Sequence, residues 1–246
     1  MLLLPGPEHK GSKTDEGWTL ENGDTIFVEQ TEHDESQRRG LRQTTFTTIW
    51  DGADVLARYL ERTHCSHCSH CSHCSHGTLG NPPSRIIELG AGCGLVGIAA
   101  ACLYPTASVT LTDLPAALPA LRANIERNRA VLGPDTGRVR AMALDWTAQP
   151  LNIEHTSPYD LVLASDVIWL VDLVDPFLDT LQHIARANPM CVTLMTYQSR
   201  SKIVDRRLFA GLESRKFAWA SVETSKKVGV FRITLRTASP LSDSTT

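Results

Sequence analysis

The chain has 246 residues, of which 42% are hydrophobic and 21% charged, a composition typical of a globular protein with room for one full α/β domain. Its 24 Lys and Arg against 27 Asp and Glu give a formal net charge of −3, which does not favour nucleic acid or a membrane surface as a partner. The longest apolar run, residues 95–104, has about half of the roughly 20 residues of a membrane span.

The N-terminal part of the chain is polar up to residue 17, and we expect a disordered tail there. Its opening apolar run is too short for a signal peptide, and the seven cysteines lie in one repeat or in apolar segments. We therefore expect a cytoplasmic location, with the nucleus as the alternative. Alternation over Ile26–Gln30 after an Asn22-Gly23 turn predicts a strand. With a second extended run at Gln43–Ile49, it predicts an N-terminal β-hairpin outside the main domain.

The next segment, Trp50–Leu60, is predicted to be a helix because its apolar residues recur at helical spacing. Trp50 stands at the start of this helix. In one interpretation its indole anchors the helix to a sheet, and in another it forms a wall of a cofactor pocket. One indole can do both.

A tandem His-Cys-Ser repeat follows over residues 64–76, with five His and four Cys. The pairs Cys65-x-x-Cys68 and His67-x-x-His70 have the spacing and the ligand types of zinc or copper sites. A structural zinc site normally joins two separated ligand pairs, however, and no second pair occurs elsewhere in the sequence. We favour a low-complexity insertion in a surface loop over residues 64–80, and we assign no metal ligands.

The most informative stretch is a glycine turn, Gly90-Ala91-Gly92-Cys93-Gly94, between the apolar run Arg85–Leu89 and the Ala-rich run Leu95–Leu103. This pattern predicts a strand, a turn with almost no side chains, and a helix. Such a turn lets a ligand contact the backbone, and the N–H groups that open the helix face it. The Glu88 carboxylate is expected at the rim of the same crevice.

Two cofactors fit this turn. Gly92-x-Gly94-x-x-Gly97 matches the dinucleotide-binding pattern, which alone is a weak signal. The alternation of Glu88 with the glycines at positions 90, 92 and 94 fits S-adenosylmethionine (SAM) better. SAM carries an amino group and a sulfonium that suit an acidic side chain, whereas a pyrophosphate would be repelled. A glycine-rich turn without a ligand is the third interpretation.

Carboxylates also end the strands that follow. Asp113 ends the second predicted strand, where it is placed to accept hydrogen bonds from ribose hydroxyls, or alternatively to cap the next helix. Asp145 and Trp146 close the third strand, where they fit an adenine through hydrogen bonding and stacking, or form an ordinary loop. Asp166 ends the fourth strand and is followed by Val167-Ile168-Trp169.

Helices and strands alternate over most of the chain. Further helices are predicted over Leu118–Val131, Asp172–Ala187 and Ile203–Ser214, and further strands over Ala107–Asp113, Arg138–Leu144, Tyr159–Asp166, Cys191–Tyr197, Phe217–Val222 and Val228–Leu235. This alternation predicts an α/β fold with a parallel sheet covered on both faces, and the last two strands predict an antiparallel edge. Ligands bind outside the carboxyl ends of such strands, so the four acidic residues are expected to line one crevice.

Four stretches resemble the "methyltransferase 16" family of seven-β-strand protein methyltransferases. They are Trp50-Asp51-Gly52-Ala53, Glu88–Gly97, Leu111-Thr112-Asp113 and Leu163–Trp169. The resemblance covers roughly residues 18–236 without the repeat, and leaves residues 1–17 and 237–246 as tails. It implies the class I SAM-dependent methyltransferase (Rossmann-like) fold: a seven-stranded, mostly parallel sheet with antiparallel C-terminal edge strands, preceded by a hairpin and a helix. Most characterised members of the family methylate lysine in non-histone proteins.

The resemblance also implies roles for particular residues. The cofactor-binding set would be Trp50, Glu88, Gly90, Ala91, Gly92, Gly94, Asp113, Leu114, Asp145, Trp146, Ala164 and Ser165. Asp166 and Trp169 would be the catalytic residues that face the substrate nitrogen, with Asp166 as an orienting group. The family pattern is Asp-x-x-Tyr, so Trp169 replaces a tyrosine and leaves arginine or histidine as alternative targets to lysine.

We therefore expect a SAM-dependent protein N-methyltransferase, acting as a monomer on a protein substrate without a nucleic-acid or membrane partner. A small-molecule methyltransferase is a further alternative. Two rivals come from other classes of protein. An NAD-dependent oxidoreductase would need a catalytic Tyr/Lys or His arrangement that the sequence does not offer, and a metal-binding or scaffold protein would act through the His-Cys-Ser repeat.

Overall fold

The computed structural model describes residues 17–29, 49–64, 79, 81–148, 151, 153, 158–225 and 227–236. The predictions for residues 1–16 and 237–246, for the extended run over residues 43–48 and for the repeat from residue 65 onwards lie outside the described residues. In the part that is described, no helix has both the length and the apolar character needed to cross a membrane.

Strands and helices alternate along the described chain, as the sequence predicts. The strands are β1 (Trp18–Thr19), β2 (Thr25–Ile26), β3 (Arg85–Leu89), β4 (Ser108–Asp113), β5 (Val139–Ala143), β6 (Leu161–Ser165), β7 (Val192–Tyr197), β8 (Phe217–Ser225) and β9 (Val228–Leu235). The helices are α1 (Asp51–Thr63), α2 (Leu95–Leu103), α3 (Leu118–Arg127), α4 (Arg129–Leu132), α5 (Val174–Ala187) and α6 (Lys202–Ser214).

A seven-stranded sheet in the order β5-β4-β3-β6-β7-β9-β8 forms the centre of the fold. The five strands from β3 to β7 are parallel, and β9 runs antiparallel to both β7 and β8. This confirms the predicted sheet and its antiparallel C-terminal edge. The strands after β3 are added first on one side of it (β4, β5) and then on the other (β6, β7), so the strand order switches between β3 and β6. In such sheets ligands bind at this switch point, outside the carboxyl ends of the strands.

Two hydrophobic cores lie on opposite faces of the sheet. The helices α1, α2 and α3 cover the first core, where Leu56 and Ile98 are fully buried. The helices α5 and α6 cover the second core around Phe177. β3 is buried on both faces, because Ile86 belongs to the first core and Ile87 to the second. This central strand therefore holds the turn that follows it on a rigid support.

The N-terminal hairpin is present, but it is part of the domain. β1 and β2 pair antiparallel across the turn at Asn22 and Gly23, so the partner of the predicted strand is Trp18–Thr19. Ile26 is fully buried in the first core, and the Trp18 Nε1–H donates to Asp54 Oδ1 of α1 over 2.9 Å. The predicted strand at Ile26 therefore packs on the main domain and does not lie outside it, while its predicted pairing with residues 43–48 lies outside the described residues.

Candidate functional site

The carboxyl ends of the parallel strands meet at one edge of the sheet, and the predicted site residues follow them there. The glycine turn follows β3, Asp113 ends β4, Asp145 and Trp146 follow β5, and Asp166 follows β6. Topology alone thus brings together side chains that are far apart in the sequence. Their contacts define what the crevice can hold.

The glycine turn adopts a backbone that only glycine adopts at low cost. Gly90, Gly92 and Gly94 have φ values of 67°, 55° and 86°, all in the left-handed region. The turn is tied to the neighbouring strand, because the Ala91 N–H donates to the Thr112 carbonyl over 2.9 Å. It closes on itself through a bond of 2.8 Å from the Gly94 N–H to the Ala91 carbonyl. The backbone shape that a ligand would meet is therefore fixed before binding.

Glu88 lies beneath this turn and not at its rim, which corrects the sequence prediction. Its side chain is fully buried, and Oε2 accepts a bond of 2.9 Å from the Gly97 N–H in the first turn of α2. This approach requires a glycine, since a Cβ at Gly97 would lie 2.6 Å from Oε2. Burial raises the pKa of the Glu88 carboxyl to about 8 against the effect of the Gly97 bond, and Asp113 adds to the rise. Oε1 is buried and has no hydrogen-bond partner among the described residues.

Asp113 ties the second strand to the glycine turn. Its Oδ2 accepts a bond of 2.8 Å from the Gly92 N–H, and its Oδ1 accepts one of 2.7 Å from the Leu114 N–H. Burial raises the pKa of Asp113, while these two bonds oppose the rise. Asp113 does not cap α3, because a 3₁₀ turn over Pro115–Ala117 comes first. The capping alternative is thus excluded, and the carboxylate stays at the strand end beside the turn.

Trp146 forms a wall next to the turn. Its ring packs edge-on against Phe177 with the ring centroids 5.5 Å apart, and a Cβ on Gly90 would lie 3.3 Å from its Cη2. The indole Nε1–H is buried and lacks a partner within the described part of the chain. Asp145 Oδ1 accepts bonds of 2.8 and 2.6 Å from the backbone N–H and the hydroxyl of Thr147, which fix the loop that carries the indole.

Asp166 forms a bidentate ion pair with an arginine that is not among the predicted site residues. Its Oδ1 and Oδ2 accept bonds of 2.8 and 2.5 Å from Nη1 and Nη2 of Arg200, which follows β7. Burial raises the pKa of Asp166, and Arg200 opposes the rise. Asp166 has a φ of 54°, a left-handed conformation that is uncommon outside glycine and often found at functional sites. Both carboxylate oxygens are therefore engaged with a cation of this chain.

The start of α1 packs on this ion pair. A Cβ on Gly52 would lie 2.8 Å from the Asp166 Cβ, and the Thr196 hydroxyl donates to the Gly52 carbonyl over 3.0 Å. The guanidinium carbon of Arg200 lies 5.9 Å from the centroid of the half-buried Trp50 ring. Trp50 directly precedes α1 and lies beside the Arg200 guanidinium, and its two predicted roles stay predictions.

For four further predicted site residues, the structure shows how deeply each one is buried. Ala91 is buried in the first core, and Ala164 is fully buried in the second. The side chain of Ala164 therefore does not form the wall that the resemblance implies, because the core covers it. Ser165 at the end of β6 is half-buried, and so is Trp169, three residues after Asp166.

Arg200 is the residue that sequence reasoning missed. It stands 34 positions from Asp166 in the sequence, and its partner is set by the pairing of β6 with β7. A signal was present, since Arg200 is a cation three residues after a buried strand, and the neighbouring strand is followed by a carboxylate. Among the described residues, no three His, Cys, Asp or Glu side chains are grouped as a metal site requires.

Comparison with protein families gives a match over most of the chain. The profile of the lysine methyltransferase family matches residues 35–215. EEF1A lysine methyltransferase 3 of Mus musculus is 34% identical over 151 residues, which are 61% of this chain and 55% of that protein. Protein N-lysine methyltransferase METTL21A of Xenopus tropicalis is 33% identical over 190 residues, which are 76% of this chain and 77% of that protein. The chain thus spans about half the length of the mouse relative.

Solved structures share the fold at low sequence identity. Mitomycin 7-O-methyltransferase matches with a TM-score of 0.53 and 16% identity, over 83% of this chain and 59% of that one. An O-methyltransferase family protein from Burkholderia thailandensis matches with a TM-score of 0.51 and 13% identity, over 76% of this chain and 59% of that one. The described chain therefore has the fold of class I SAM-dependent methyltransferases.

Proposed function

The chain belongs to the lysine methyltransferase family, and from this premise we propose that it transfers a methyl group from SAM to the side-chain nitrogen of lysine in a protein substrate. The observation that carries this function is the family match over residues 35–215, which includes every strand end of the crevice from β3 to β7. The relatives named above are protein lysine methyltransferases, which supports a protein as the substrate.

The crevice fits SAM in its chemistry. The buried Glu88 carboxyl has one oxygen without a partner among the described residues, and a cationic ligand above it would favour loss of its proton and be stabilised by the resulting charge. Asp113 has spare lone pairs for ribose hydroxyls, and the Trp146 wall beside Gly90 suits a flat, partly polar ring such as adenine. Bound SAM would supply the electrophilic methyl group.

The substrate end of the crevice must receive an uncharged amine. An unperturbed lysine has a pKa of about 10.4, and a lone carboxylate beside it would raise that pKa further. Arg200 cancels the charge of Asp166, so the pair orients the amine by hydrogen bonding without favouring its protonated form. Trp50 and Trp169 supply aromatic surface that excludes water.

SAM binding is the first test. Calorimetric titration of the ligand-free protein with SAM is expected to give micromolar affinity, with NAD⁺ as a control that does not bind. The change Asp113→Ala is expected to weaken SAM binding at least about tenfold, because it removes the ribose acceptor and the tether of the Gly92 N–H. Binding of NAD⁺ in place of SAM would instead favour the oxidoreductase.

The target residue is tested separately. The protein is incubated with SAM and a lysate of methylation-inhibited cells, and modified peptides are read by tandem mass spectrometry. Methyl groups on lysine Nε are expected. Methylation of arginine or histidine alone would contradict lysine as the target, and would point to Trp169, which stands where the family has tyrosine, as the source of the changed specificity.

A further inference from the structure

Two buried asparagines of α3 and its C-terminal end hold the N-terminal arm, which we define as residues 17–29. Asn124 and Asn128 are each 1% exposed, so their amide groups need partners inside the protein. Asn128 uses its amide on the arm: Oδ1 accepts a bond of 2.8 Å from the Phe27 N–H, and Nδ2 donates over 2.7 Å to the Phe27 carbonyl. Nδ2 also donates over 2.8 Å to the Asn124 carbonyl.

Asn124 uses its amide differently, because it joins the arm to the glycine turn. Its Oδ1 accepts a bond of 2.9 Å from the Glu29 N–H, as Asn128 does from Phe27. Its Nδ2, however, donates over 3.0 Å to the Cys93 carbonyl, between Gly92 and Gly94. One side chain thus connects a segment near the N-terminus to the middle of the turn.

The other tethers of the turn lie on the side of the sheet. The Ala91 N–H bonds to the Thr112 carbonyl, and the Gly92 N–H bonds to Asp113. The Cys93 carbonyl has its contact on the opposite side, from α3. The same helix supports the next residue as well, since a Cβ on Gly94 would lie 2.6 Å from Leu121 Cδ1. The turn is therefore held by α3 as well as by the sheet.

We propose that Asn124 is a positioning residue for the cofactor, and that it acts through the bond that it donates to the Cys93 carbonyl. This role rests on the proposed function, because it assumes that the turn binds SAM. Loss of the Asn124 amide removes the bond that it donates to the Cys93 carbonyl and lets the turn adopt other shapes. Part of the binding free energy is then spent on restoring the competent shape, so the affinity for SAM falls.

The test compares Asn124→Ala with Asn128→Ala in the full chain. Both variants remove a 1% exposed asparagine that binds the arm, and only the first removes a contact with the turn. Calorimetry with SAM is expected to show a Kd about tenfold higher for N124A and within about twofold of the unaltered chain for N128A. Thermal unfolding is expected to show comparable losses of stability, so the split appears in SAM affinity alone.

A second variant keeps the arm contact. In N124D one oxygen still accepts from the Glu29 N–H, while an acceptor replaces the donor that faces the Cys93 carbonyl, and the same rise in Kd is expected. Equal SAM affinities in the Asn124 and Asn128 variants would overturn the role of Asn124 while leaving the proposed function in place. No SAM binding by the unaltered chain would overturn the proposed function and this role with it.

Discussion

Arg200 and Asp166 form a bidentate ion pair at the carboxyl ends of β6 and β7. The carboxylate is nearly buried, with 3% of its side chain exposed, and both of its oxygens are bound by the guanidinium. If Asp166 stood alone, its charge would hold an incoming lysine as ammonium, which cannot accept a methyl group. In the proposed function the pair would keep the hydrogen-bonding capacity of the carboxylate and remove that penalty.

Replacement of Arg200 therefore has a measurable signature in the pH profile. The change Arg200→Gln leaves Asp166 free to pair with the substrate ammonium, so the rising limb of log kcat/KM against pH is expected to move up by about one unit. Arg200→Lys keeps the positive charge and is the matched control, with a smaller displacement. Initial rates of methyl transfer to the peptide found by mass spectrometry, from pH 6.5 to about 9.5, measure the effect.

The outcome that contradicts this role is a rising limb that stays in place in R200Q while the rate falls at every pH. Such a result would make Arg200 a support for the loop and not a determinant of the protonation of the amine. SAM affinity, measured on the same two variants, is expected to change little and shows that the fold is intact.

Residue positions that depend on local hydrophobic pattern can be predicted from the sequence, whereas those that depend on contacts between distant elements cannot. Asp113 and Asp166 lie at the strand ends that the sequence predicts for them, because strand ends can be predicted from hydrophobic runs. Glu88 was placed at the rim because its proximity to glycines was visible, whereas its burial under Gly97 depends on how α2 returns over the turn. Arg200 was missed because an ion pair between strand ends depends on strand order.

At the scale of elements, the N-terminal hairpin gains its stability from docking. Ile26 lies in a two-residue strand and yet is fully buried in the first core, while its neighbour Phe27 is 43% exposed. The change Ile26→Ala is expected to cost about 3 kcal/mol of unfolding free energy, because it leaves a cavity in the core. Phe27→Ala is the neighbouring control and is expected to cost less than about 1 kcal/mol. Urea denaturation measures both, and similar losses would show that the hairpin is not part of the core.

The elements themselves were predictable where an apolar run lies between turn signals. α2 and β9 have the bounds that the sequence predicts, because each is an apolar run between strong turn signals. The predicted helix over Leu118–Val131 is instead divided at Asn128, whose side chain binds the arm. Hydrophobic period carries no information on such a contact, since it joins residues 101 positions apart.

At the scale of the whole molecule, several buried or half-buried acidic side chains lie together at the carboxyl ends of the parallel strands. Burial raises the pKa of Glu88, of Asp113 and of Asp166, although two of them accept several hydrogen bonds. The folded state therefore binds protons that the unfolded chain releases, and ionisation of these groups destabilises the ligand-free fold. A cationic ligand in the crevice would offset this cost, so the same acids that weaken the empty fold favour binding.

Glu88 determines whether the stability of the ligand-free protein rises or falls with pH. Its pKa is about 8 in the folded state against 4.5 for an ordinary glutamate, so the folded protein retains a proton across this window. Stability of the ligand-free protein is expected to fall as pH rises from about 4.5 to about 8, and the loss attributable to Glu88 at pH 7 is on the order of 3 kcal/mol.

The change Glu88→Gln keeps the shape and the acceptor for the Gly97 N–H but cannot ionise. It is expected to stabilise the ligand-free protein by an amount that increases from pH 6 to about 8, and to weaken SAM binding, because a glutamine cannot lose a proton and oppose the charge of the ligand. Urea unfolding of both proteins across this range measures the difference, and the exposed Glu126→Gln is the control. A stability difference that does not vary with pH would mean that Glu88 is already ionised in the empty fold, stabilised by a group other than SAM.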